Sequence, residues 1–192
     1  MKLILSKIKT YFGKLDKLLL FMCMGIACFA VFIQYTLYEN DISSAVTASQ
    51  YKTQIIAFIA GIVIAMALAA INYKYLAKLW FIYVPLAMGL TLLLFTPLGI
   101  QREGADDIGW LDLGIMTIQP SEILKLAFIL SLAVHLSKVE DRMNEPIHFI
   151  LLCIHGAIPT LLIRQTGDDG SALVFLFIFI CMMFAAGLSW KY

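Results

Sequence analysis

Residues 118–133 read "IQPSEILKLAFILSLA", and this stretch decides the fold. Pro120 suits the first helical position, where its missing N–H leaves no bond unmade. From there apolar residues run on for more than four turns, interrupted near the start by Glu122 and Lys125. With Pro120 at the first helical position, Glu122 falls on the third. A carboxylate there accepts unpaired backbone N–H groups and gains from the positive helix end. Lys125 has no such local explanation. It follows by three residues, on roughly the same face, within pairing distance of Glu122. An unpaired lysine at mid-bilayer costs about 2.5–3.5 kcal/mol, and less near an interface, where the ammonium snorkels to water. Two readings follow: a helix-end pair at the membrane surface, or a pair facing a polar cavity that takes a phosphate or pyrophosphate.

Composition sets the environment of that helix. Of 192 residues, 61% are hydrophobic and 14% charged. Soluble domains carry about 25% charged residues, so an integral membrane protein is expected. The formal net charge of +1 gives no sign of a nucleic-acid partner. A hydrocarbon layer about 30 Å thick takes about 20 helical residues. Six segments qualify, at 18–38, 53–71, 78–97, 120–137, 146–163 and 170–188. The fold class expected is all-α, a polytopic bundle of about six spanning helices and a single domain over 1–192. Lysine and arginine outside the helices divide ten to three if the N-terminus is cytoplasmic. That orientation puts both termini inside, 1–17 as a basic cytoplasmic lead-in, and 98–119 as an extracellular loop.

Smaller features complete the pattern. Gly61, Ala65 and Ala69 share a face suited to close helix approach, and Ala185, Ala186 and Gly187 suggest a second contact. Pro85 and Pro159 are expected to kink or locally break their helices. Cys23, Cys28, Cys153 and Cys181 lie in apolar runs and read as buried small hydrophobes. His148 and His155, seven apart, share a face, while His135 near a helix end suits a carbonyl cap. Trp110, with Leu111 and Leu113, reads as an interfacial anchor on the loop, or as part of a loop folded back over a site. Asp168 stands where a helix cap belongs. With Asp169 it has three uses open to it: pairing with Arg164, holding a cation, or facing water. A metal site needs more converging oxygens than this turn supplies, and no metal or cofactor is expected.

Two stretches carry a family resemblance. "LDLGIMTIQPSEILKLAFILSLA", from Leu111, resembles the signature of the SEDS family of RodA, FtsW and SpoVE proteins through Gln119, Pro120, Ser121, Glu122 and Lys125. The preceding Trp110 to Gly114 match as well. "TGDDGSALVFLFIFICMMFAAGLSW", from Thr166, is similar to a second signature through Asp168, Gly170, Ser171, Ala172, Leu173 and Val174. There are departures: Asp106 and Asp107 stand where the family usually has basic residues, and Asp169 replaces a leucine. The resemblance implies a multi-pass protein of the bacterial plasma membrane with about ten helices, of which this chain holds about six. It implies polymerisation of a lipid-linked peptidoglycan precursor in division, elongation or sporulation, beside a membrane-anchored transpeptidase. The family's proposed catalytic aspartate lies in a loop beyond Tyr192. No residue here is therefore assigned to catalysis, and a chain supplying the C-terminal half is an expected partner. Glu122 and Lys125 inherit the place of a polar pair in the substrate cavity. Trp110, Gln119, Pro120, Ser121, Asp168 and Gly170 inherit structural or rim places. A non-catalytic subunit binding cell-wall enzymes and a small transporter are the alternative readings.

Overall fold

A computed structural model describes residues 13, 16–40, 48–102, 104–114 and 117–189. Most of the basic lead-in, and Trp190 and Lys191, lie outside these. The chain forms two compact units, Met1–Asn72 and Tyr73–Tyr192.

The first unit is a pair of 23-residue helices, α1 (Lys17–Glu39) and α2 (Ala48–Ala70). Asp16 caps α1, its Oδ1 accepting the Leu19 N–H at 3.0 Å. Tyr51, early in α2, packs on Tyr35 and stacks on Tyr38, late in α1, so the two helices run antiparallel. No residue of α1 is buried, as fits a helix wetted by lipid. The small-residue face behaves differently from expectation. A methyl group added at Gly61 meets nothing within 4 Å, and Gly61 and Ala65 line a cavity of about 310 Å³.

The second unit contains α3 (Tyr73–Lys78), α4 (Trp80–Leu92), α5 (Pro120–Val139), α6 (Pro146–Gln165) and α7 (Asp169–Ala185). The expected span at 78–97 is instead a 13-residue helix continued by a three-residue 3-10 turn. Tight i to i+3 bonds at Leu79 separate it from α3. Pro85 and Pro159 lie within continuous α4 and α6. Among the described residues, α1, α2, α5 and α6 are long and apolar enough to cross a membrane, and α4 and α7 are shorter apolar helices. The protein is an all-α polytopic membrane protein. Cys23, Cys28 and Cys181 lie on exposed helix surfaces and Cys153 is half-buried, so the expected burial is not met. Lipid accepts a small apolar side chain as readily as a core does.

α5 is the hub of this unit and packs on α4, α6 and α7. Its buried residues Leu124, Phe128, Leu132 and Leu136 recur at four-residue spacing and form one stripe. They meet Ala87 of α4, Leu152 and Ile163 of α6, and Phe175 of α7 in one apolar core. α6 and α7 approach closely at Gly156, where an added Cβ falls 2.6 Å from the Phe179 ring on α7. Gly156→Ala is therefore expected to cost about 1–3 kcal/mol through overpacking. A lower unfolding midpoint in detergent, partly restored by adding Phe179→Leu, checks this, and an unchanged midpoint refutes it. The contact expected at Ala185 to Gly187 is a helix end instead. Gly187 takes φ +96°, and the Leu188 N–H reaches back to the Met183 carbonyl at 3.1 Å.

The segment before α5 holds a small antiparallel sheet with strands in the order β1 (Gly99–Ile100), β2 (Trp110–Asp112), β3 (Thr117–Ile118). Leu111 on the central strand is fully buried, not interfacial, and pairs with Gly99 on one side and Ile118 on the other. β3 leads through Gln119 directly into α5, so the sheet sets where that helix begins.

Candidate functional site

Pro120 occupies the first turn of α5, as its chemistry requires. Gln119 is the extended residue before it and makes no side-chain cap. Ser121 is buried, and its hydroxyl has no partner among the described residues. Glu122 does not serve as the backbone cap expected of it. Its Oε1 accepts from Lys125 Nζ at 2.6 Å, because a full charge one turn away outcompetes a partial one. The two side chains are unequally placed, with Lys125 20% exposed and Glu122 60% exposed. The carboxylate is thus the more exposed partner and the ammonium the more enclosed.

The sheet places further polar groups ahead of α5. Trp110 is half-buried and carries the Arg102 guanidinium 3.3 Å from its ring centroid. Arg102 Nη2 also reaches Thr117 Oγ1 on β3 at 3.5 Å. Sequence reasoning missed Arg102, because an eight-residue gap to Trp110 has no meaning until β1 and β2 pair. Asp112 Oδ1 accepts the Gly114 N–H at 2.8 Å.

The second signature reaches the loop that precedes α5. The Ile108 N–H donates to the Thr166 carbonyl at 2.9 Å, pinning the loop to the turn between α6 and α7. Gly167, at φ +87°, lies under the Asp107 backbone, and Gly109 lies beside the Gln119 amide. The stretch from Asp106 to Gly109 therefore joins the α5 entrance to the α6–α7 turn. Asp168 caps α7, its Oδ1 accepting the Ser171 N–H at 2.7 Å across Gly170. Asp169 pairs with Arg164 at 3.6 Å, both well exposed. Each aspartate thus has a protein partner. Among the described residues no three metal-ligating side chains converge.

His135 differs from expectation, while His155 makes a polar contact between helices. His135 does not cap a helix end, because its Nδ1 meets Nδ1 of His155 at 3.1 Å. His155 Nε2 in turn meets Ser131 Oγ at 3.1 Å. His148 turns instead to Glu145, at 3.6 Å. This seam between α5 and α6 joins residues twenty or more apart, so no local spacing announces it.

Comparison with known proteins points one way. A family model described as "Cell cycle protein", covering FtsW, RodA and SpoVE, matches residues 14–192. The chain is 32% identical over 190 residues to a probable peptidoglycan glycosyltransferase FtsW of Geobacter sp. (strain M18), covering 92% of this chain and 49% of that protein. It is 26% identical over 188 residues to the peptidoglycan glycosyltransferase MrdB of Escherichia coli (strain K12), covering 95% and 47%. Among solved structures, the rod shape determining protein RodA of Thermus thermophilus matches with a TM-score of 0.66 and 25% identity, over 86% of this chain and 54% of that one. A chain from a peptidoglycan synthase complex that coordinates polymerization and crosslinking matches with a TM-score of 0.67 and 26% identity, over 86% and 48%. The chain spans about half the length of the curated relatives it matches.

Proposed function

The chain belongs to the FtsW/RodA/SpoVE family of cell cycle proteins, and on that premise we propose that it forms the N-terminal half of a peptidoglycan glycosyltransferase. Its substrate is the lipid-linked precursor of the cell wall. The observation that carries the reading is the 2.6 Å pair of Lys125 and Glu122 at the entrance of α5, within the matched signature. In this reading the Lys125 ammonium meets the precursor's pyrophosphate while the lipid tail stays in the bilayer. Glu122 is a positioning residue that orients the lysine in the empty state. Trp110 with Arg102 and the Asp168-capped turn hold the rim to either side. No described residue is assigned a catalytic role in this reading. The protein lies in the bacterial plasma membrane with its N-terminus inside, which the lysine and arginine distribution supports. A membrane-anchored transpeptidase is its partner.

The test is glycan polymerisation from lipid-linked precursor, with the purified chain alone and beside a chain supplying the C-terminal half. Product in the mixture alone is expected. If the mixture stays silent while an intact family enzyme works in parallel, the enzymatic reading fails, and a non-catalytic subunit that binds cell-wall enzymes replaces it.

A further inference from the structure

Beyond the Glu122–Lys125 pair, towards the other end of α5, a cavity of about 240 Å³ opens between α4, α5 and α6. Trp80, Ser131, Val134, His135, Lys138 and His155 line it. Ser131 is buried and Lys138 is exposed on the last turn of α5, so the cavity leads from the packed interior to the helix end.

The hydrogen bonds determine what this cavity offers a ligand. Ser131 Oγ lies 3.1 Å from the Phe128 carbonyl and 3.1 Å from His155 Nε2. The serine has one proton, and a carbonyl can only accept. One arrangement satisfies both contacts: the hydroxyl donates to Phe128, and the N–H at His155 Nε2 donates to the hydroxyl. Neutral His155 then presents a bare Nδ1, which accepts the Nδ1–H of His135. The proton of neutral His135 is thereby used, and its Nε2 remains a bare acceptor with no partner among the described residues. Beside it, Lys138 Nζ lies 5.7 Å from the Trp80 ring centroid, so an ammonium stands against the aromatic wall. The cavity thus combines a cation with a hydrogen-bond acceptor.

We propose that this cavity binds the headgroup of an anionic phospholipid that carries a hydroxyl beyond its phosphate, as phosphatidylglycerol does. The phosphate sits against Lys138 and the hydroxyl donates to His135 Nε2. A phosphodiester with no further hydroxyl leaves that nitrogen unused, and a choline headgroup brings its own cation towards Lys138 with no proton to donate. The diacyl tails remain in the surrounding bilayer.

Native mass spectrometry of the full chain in detergent tests this, with three lipids of matched tails. Phosphatidylglycerol is the hydroxyl-bearing anion, phosphatidylpropanol the same charge without a hydroxyl, and phosphatidylcholine the zwitterion. Phosphatidylglycerol is expected to be retained about fivefold better than phosphatidylpropanol, the worth of one hydrogen bond. Lys138→Ala should lower retention of both anionic lipids about fivefold and leave phosphatidylcholine unchanged. His135→Leu should erase the preference for phosphatidylglycerol over phosphatidylpropanol while keeping both above phosphatidylcholine. Soluble glycerol phosphate is expected to displace the lipid only weakly, and displacement at concentrations equal to the lipid's would overturn the assignment to a phospholipid in favour of a free phosphate ester. Equal retention of all three lipids, or preferences that survive both substitutions, overturns the proposal. Lys138 is exposed, so Lys138→Ala decides the phosphate half even if His135→Leu fails to fold.

Discussion

Glu122→Ala is expected to destabilise the second unit by about 2 kcal/mol, and adding Lys125→Leu to recover most of that loss. The asymmetry follows from placement. Lys125 is the more enclosed partner, at 20% exposure, and removing Glu122 leaves its ammonium unpaired at the edge of an apolar helix bundle. An unpaired lysine there carries part of the roughly 2.5–3.5 kcal/mol of a mid-bilayer cation, reduced by snorkelling. Glu122, at 60% exposure, keeps its solvation when the lysine is removed, so Lys125→Leu alone should cost little. Unfolding midpoints of the wild type, both single variants and the double variant measure the coupling. Equal single costs that simply add would refute it. Activity separates the structural role from the proposed one. Lys125→Leu, though stable, is expected to lower polymerisation by the reconstituted enzyme about a hundredfold, the scale set by losing one preorganised donor to developing charge. A stable Lys125→Leu variant with unchanged rate would remove this lysine from the substrate site.

The second large effect is expected at Gly99. A Cβ built there collides with the Leu94 carbonyl oxygen and falls 2.9 Å from Ile108 Cγ2. The carbonyl belongs to the turn that ends the helical segment before the sheet, so it cannot swing away as a side chain does. Gly99→Ala should cost about 3 kcal/mol, the upper end of ordinary overpacking. It should also loosen β1, and with it the pairing to Leu111 that holds the central strand. Limited proteolysis between residues 98 and 119, beside an unfolding midpoint, reads both consequences. Gly61→Ala is the control, since its Cβ enters open space and alanine favours a helix by up to about 1 kcal/mol over glycine. If both variants behave alike, the close approach at Gly99 is not real.

Much of the architecture was legible because the signals are local. The start of α5 follows from Pro120, and Asp168 caps its helix as its place in the chain requires. The pairing of Glu122 and Lys125 follows from a three-residue spacing on a helix. The segments expected at 120–137 and 146–163 agree with α5 and α6 to within two residues at each end. Apolar length was less reliable at 78–97, where hydropathy is continuous but hydrogen bonding is not. Glycine was ambiguous for a physical reason. A small residue permits close approach without requiring it, so Gly61 borders a cavity while Gly156 takes the tight contact.

By itself, the sequence determined the apolar character of the helices, the position of the polar pair and the two signatures that identify the family. Each depends on residue type and short spacing, which survive in an unfolded chain. Only the tertiary structure decided that Arg102 lies over Trp110, that Ile108 ties the loop to Thr166, and that His135, His155 and Ser131 form one hydrogen-bonded line. Those contacts join residues far apart in the chain. The first exists because β1 pairs with β2, the second because the loop meets the α6–α7 turn, and the third because the α5 stripe packs on α6 and brings their polar residues into register.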